Sequence, residues 1–85
     1  MPDGTRKLLV IDDDTIVRQS VVAYLEDSGF EVVEAKHGQQ GLELFEEHKP
    51  DLVLTDLRMP GMDGLHLLDE VHKLNPDAPV IVISG

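Results

Sequence analysis

Two kinds of segment alternate along this chain, and no other feature narrows its fold so far. Residues 7–11 (Lys-Leu-Leu-Val-Ile), 52–54 (Leu-Val-Leu) and 80–83 (Val-Ile-Val-Ile) are continuous apolar runs. A half-solvated strand alternates apolar and polar side chains, so runs without alternation read as parallel strands covered on both faces. Residues 30–35 (Phe-Glu-Val-Val-Glu-Ala) are more polar, as an edge strand is. The segments between them have helical spacing. Val17, Val21, Tyr24 and Leu25 form one stripe, with Arg18, Gln19 and Glu26 away from it. Asp14 is placed to cap that helix and Gly29 to end it. The spacing predicts a second helix over 38–48 that buries Gly41, Leu42 and Phe45 and stops at Pro50. A third over 64–74 buries Leu67, Leu68, Val71 and Leu74 and ends at Asn75 and Pro76.

The order is therefore β-α-β-α-β-α-β, with short connections and no linker, repeat or low-complexity tract. Right-handed crossovers turn such an order into a parallel sheet with helices on both faces. A closed eight-fold barrel needs roughly 250 residues. With 85 residues, an open doubly wound α/β sheet remains.

Charge and composition remove several functions. Seven Lys and Arg against 17 Asp and Glu leave a net charge of −10, and the basic residues are scattered. Phosphate backbones and anionic lipids both need clustered cations, so direct binding of nucleic acid or membrane by this segment is not expected. No cysteine is present, which excludes a disulfide scaffold, a thiol nucleophile and cysteine-ligated zinc. The expected compartment is the cytoplasm.

In open parallel sheets, ligands bind beyond the carboxyl ends of the strands, where the strand order reverses. The first strand is followed by Asp12, Asp13 and Asp14, and the third, after Thr55, by Asp56. Either group alone is equally well a solvated turn. Both at the carboxyl ends of buried strands favour a site, provided that the first and third strands are neighbours. Asp14 is explained by capping and is assigned no chemistry. Carboxylates a few Å apart repel unless a cation neutralises them. An all-oxygen donor set suits a hard ion, Mg²⁺ or Mn²⁺ before zinc, and Mg²⁺ typically shares its shell with a phosphate oxygen. His37, His48, His66 and His72 form no pair at helical spacing, and a Ca²⁺ loop would alternate its acids rather than place three in a row.

Residues 9–14 (Leu-Val-Ile-Asp-Asp-Asp) and 54–64 (Leu-Thr-Asp-Leu-Arg-Met-Pro-Gly-Met-Asp-Gly) closely resemble the receiver domains of bacterial two-component response regulators. These are phosphoacceptor modules related to the chemotaxis regulator, and the likeness runs from Lys7 to Gly85. The resemblance implies a flavodoxin-like sheet in the strand order 2-1-3-4 and a phosphorylation-controlled switch rather than an enzyme. It implies that Asp56 takes a phosphoryl group from a histidine kinase or other phosphodonor in a Mg²⁺-dependent reaction, with Mn²⁺ as an alternative, and later loses it to water. Asp13 would bind the ion directly, Asp12 through the ion or its water, with Asp56 and the backbone carbonyl of Arg58 as further ligands. Ser84 matches the Ser or Thr that hydrogen-bonds the phosphoryl group and couples it to rearrangement. Residues 59–61 would shape the adjacent loop.

A receiver of this kind continues into a fourth helix, a fifth strand ending in a Lys, a switch aromatic and a fifth helix. Residues 1–85 are thus expected to be the N-terminal portion of a single receiver domain, with the effector region absent. Lys7, Lys36, Lys49 and Lys73 match positions other than that Lys. The fourth strand would be an open, apolar edge, and a dimer formed through it is expected. Two other assignments are weaker. One is a non-phosphorylated interaction fragment with receiver shape. The other is a haloacid-dehalogenase-type phosphatase, whose Asp-x-Asp-x-Thr/Val motif can be laid on Asp12 and Asp14 but meets Ile16 in the fifth position.

Overall fold

The computed structural model describes residues 6–83. Its elements are β1 (Lys7–Ile11), α1 (Thr15–Asp27), β2 (Glu31–Ala35), α2 (Gly38–His48), β3 (Leu52–Asp56), α3 (Gly64–Leu74) and β4 (Val80–Ile83). All neighbouring strands are parallel, in the order β2-β1-β3-β4, as the resemblance implies. From β1 to β2 the chain steps one way across the sheet; from β2 to β3 and β3 to β4 it steps the other. Right-handed crossovers therefore put α1 on one face and α2 with α3 on the opposite face. Accordingly α1 packs on β1 and β2, while α2 and α3 pack on each other.

Covered from both sides, β1 buries Leu8, Leu9, Val10 and Ile11, which explains why its sequence is apolar without alternation. Leu9, Ile11, Leu42, Phe45, Val53, Leu67 and Val71 form the core beneath α2 and α3. Each such side chain contributes about 1.5–3 kcal/mol on burial. Gly41 lets α2 lie close on β1: a Cβ there would collide with Ile11 Cδ1 and come within 2.9 Å of its Cγ1.

Three expectations about burial are corrected. In α1 the buried residues are Arg18 and Val22, whereas Val17 and Tyr24 are 47% and 72% exposed. A lone guanidinium belongs in water, but Arg18 finds partners in the Asp12 carbonyl and Glu34 of β2, and the helix turns that side inward. In β4, Ile81 and Ile83 are about half exposed, because β4 lies at the sheet edge and α1 reaches only β1 and β2 on that face. Leu74, the last residue of α3, is 48% exposed.

The helix ends obey local chemistry. Asp14 Oδ1 accepts from Val17 N–H at 3.0 Å, and Asp63 Oδ1 accepts from His66 N–H at 2.8 Å. His37 Nδ1 accepts from Gln40 N–H at 3.2 Å. These satisfy donors that the first helical turn leaves free. Gly29 follows α1 with φ +97°, as expected of a residue that ends a helix. α2 instead ends on Lys49 in the left-handed region, φ 49° and ψ 59°, its N–H donating to Phe45 O. A side chain there is strained and glycine is not. Lys49→Gly relieves a left-handed cost of about 1–2 kcal/mol against a smaller entropic cost of glycine, and is expected to raise stability by about 1 kcal/mol, measured as a higher urea midpoint with unchanged slope.

Candidate functional site

The register of β1 and β3 builds the site. Ile11 is paired with Thr55, so the residues that follow, Asp12 and Asp56, leave the sheet side by side at its carboxyl end. Asp12 is tied down on the other flank, its N–H donating to Ala35 O of β2 at 3.2 Å. Asp13 stands exposed beside it. One carboxylate oxygen from each of Asp12, Asp13 and Asp56 lies within 4.8 Å of the other two. Oxygens sharing one cation with bonds of 2.0–2.1 Å sit about 3–4 Å apart, so a small closure suffices for a common ion. Three hard oxygens with no nitrogen or sulfur donor fit Mg²⁺ or Mn²⁺. Asp14 stays out of this group because its carboxylate caps α1.

The loop after β3 is anchored by backbone. Leu57 N–H donates to Ile83 O at 2.9 Å, and Gly64 N–H donates to Leu57 O at 2.8 Å. Gly64 is required by contact: a Cβ would sit 2.6 Å from Asp56 O and 3.0 Å from Leu57 Cα, and neither backbone atom can move aside cheaply. Within the loop Met59 is buried, while Arg58, Pro60 and Gly61 are exposed. Met62 covers Gly38 at the start of α2, where an added Cβ would come within 2.7 Å of its Sδ. Ser84 lies outside the described residues. No histidine among the described residues joins the Asp12, Asp13 and Asp56 group: His37 caps α2, His72 Nε2 lies 2.9 Å from Ala78 O, and His48 and His66 lie beside Glu47 and Glu70. Lys7 pairs with Glu31 at 3.6 Å and Lys73 with Glu70 at 2.9 Å.

Two residues at this site have roles that the sequence patterns do not indicate. Arg18 reads as part of a polar helix face. Gly64 reads as the opening of a helix, although a glycine in the first turn, where many residues serve as well, is a weak sign of a close backbone approach.

A doubly wound parallel sheet with an acidic cluster past its first and third strands is a flavodoxin-like domain with a candidate cation site at the point where strand order reverses. The chain belongs to the response regulator receiver domain family, whose model matches residues 8–85. It is 40% identical over 80 residues to the chemotaxis protein CheY of Bacillus subtilis, covering 93% of this chain and 67% of that protein. It is 40% identical over 78 residues to the transcriptional regulatory protein GlrR of Escherichia coli, covering 92% of this chain but 18% of that one. A receiver domain structure from Clostridium thermocellum superposes with a TM-score of 0.91 at 38% identity, covering 94% of this chain and 65% of that one. The chain thus spans about two thirds of its single-domain relatives and a much smaller part of the longer ones. Receiver domains are signalling switches that work with histidine kinases and effector domains and bind Mg²⁺ at an acidic pocket. Membership in this family displaces the phosphatase assignment, and the capping role of Asp14 removes the second acid of its motif. Among the described residues, no helix is long and apolar enough to cross a membrane.

The cluster works against the fold when no cation is bound. Burial, and then the charges of Asp56, Asp13 and Asp14, raise the pKa of Asp12 above its ordinary 3.8, although the Asp14 N–H opposes them. An acid whose pKa is raised on folding destabilises the native state while ionised. Stability therefore rises as pH falls through that raised value toward 3.8, where the folded state takes up the proton first. Asp12→Asn keeps the oxygen that accepts from Asp14 N–H at 2.9 Å. In EDTA at pH 7 this substitution is expected to raise the thermal midpoint by a few degrees. The gain should vanish once pH falls below 3.8, as thermal melts across that range would reveal.

Proposed function

We propose that this chain is the phosphoacceptor module of a cytoplasmic response regulator and that Asp56 is the residue phosphorylated. The observation that carries this reading is the convergence of Asp12, Asp13 and Asp56 within 4.8 Å at the carboxyl ends of β1 and β3. Asp13 would hold Mg²⁺ directly, Asp12 directly or through a water, and Asp56 with the Arg58 carbonyl would complete the protein's ligands. When bound, the ion supplies positive charge that offsets both the carboxylates and the incoming phosphoryl oxygens.

Asp56 then has two tasks. Asp56 is half-buried at the end of β3, and one carboxylate oxygen attacks phosphorus in line. A new O–P bond forms while the donor's bond to phosphorus breaks, and the donor leaves with the electron pair, as acetate from acetyl phosphate or as imidazole from a phosphohistidine. Water later attacks the phosphoaspartate and releases inorganic phosphate, which resets the switch. Ser84, one residue past β4, is proposed to hydrogen-bond the phosphoryl group.

Incubation with acetyl phosphate and Mg²⁺ is expected to add the mass of one phosphoryl group. Asp56→Asn, or excess EDTA, should abolish the gain. An undiminished gain in Asp56→Asn would sink the assignment.

The open edge of β4, with Ile81 and Ile83 about half exposed, supports a second proposal: self-association of this chain through that strand. Light scattering is expected to give the mass of a dimer at high concentration, and a stable monomer there would exclude it.

A further inference from the structure

Arg18 is the one charged residue among those the described structure buries, at 4% exposure. Its guanidinium is used on two sides. Nε donates to Glu34 Oε1 of β2 at 2.8 Å, and Nη1 donates to the backbone carbonyl of Asp12 at 2.8 Å. The Asp12 peptide is thereby held at three points: its N–H by Ala35 O, its carbonyl by Arg18, and its side-chain Oδ1 by Asp14 N–H. The Asp12 carbonyl belongs to the peptide joining Asp12 to Asp13, so its direction sets where Asp13 leaves the chain. A rigid, bidentate guanidinium fixes such a plane better than an ammonium does.

We propose that Arg18, braced by Glu34, is a positioning residue for the cation site, holding the Asp12–Asp13 peptide so that both carboxylates converge with Asp56. The proposal rests on the cation-binding reading above. Groups that orient metal ligands typically change affinity by about 10–100-fold when removed. A field effect alone has the opposite sign: a buried positive charge beside the site repels a dication, and deleting it would tighten binding.

The test is Mg²⁺ titration of the protein and of Arg18→Met and Arg18→Lys, followed by backbone amide NMR. Positioning predicts that both variants bind about tenfold or more weakly. Tighter binding by Arg18→Met with parental binding by Arg18→Lys would show a field effect and overturn the proposal. In EDTA, without any metal, the amides of residues 12–14 should shift and exchange faster in both variants while those of α2 and α3 stay in place. Unchanged amides at 12–14 would also overturn it. Should both Arg18 variants fail to fold, Glu34→Ala at high salt, where through-space fields are screened, must still weaken binding; parental affinity there would overturn it. If the parent protein itself binds no Mg²⁺, the cation reading falls, and the metal-free amide comparison still decides the role of Arg18.

Discussion

The parallel pairing of β1 with β3, in the register that sets Ile11 opposite Thr55, is the constraint on which the rest depends. Slipping it by one residue would turn each buried side chain of β1 to the other face and would part Asp12 from Asp56. The pairing holds because β1 is apolar on both faces and receives α1 on one side and α2 on the other. Gly41 allows the second of these to approach Ile11. A hydrophobic sandwich thus forces together three like charges that would otherwise separate.

The three consecutive acids after β1 have separate tasks, and geometry divides them. Asp14 is absorbed by the start of α1, Asp12 is drawn down by its backbone and half-buried, and Asp13 is left facing solvent. Their crowding is a cost to the fold, borne where Asp12, Asp13 and Asp56 converge at the carboxyl ends of β1 and β3. On the proposed reading stability and function oppose one another here: the substitution that relaxes the fold would remove a ligand.

Most of the architecture was legible in the sequence because it depends on local patterns. Apolar runs marked β1, β3 and β4, and helical spacing gave α2 and α3 with the ends that the structure shows. The acids were legible because they directly follow apolar runs. What stayed hidden depends on partners distant in sequence. Arg18 and Glu34 are 16 residues apart, and nothing in a helical projection shows that an arginine will meet a carboxylate from the next strand. The outward position of Val17 and Tyr24 follows from the same turn of α1. The exposure of Ile81 and Ile83 depends on how far α1 extends over the sheet, which strand composition does not encode. The extension of β3 to Asp56 reflects pairing with β4, where Asp56 lies opposite Ile83.

The tight seat of Gly64 against the end of β3 bears on how a signal would leave this site. No side chain lies between the Asp56–Leu57 backbone and the first turn of α3, and a hydrogen bond from Gly64 N–H to Leu57 O joins them. Soft side chains between two elements would absorb a small displacement by changing rotamer; bare backbone in contact has no such slack. Strand end and helix start are therefore joined backbone to backbone, and a displacement at Asp56 has a direct steric route to α3.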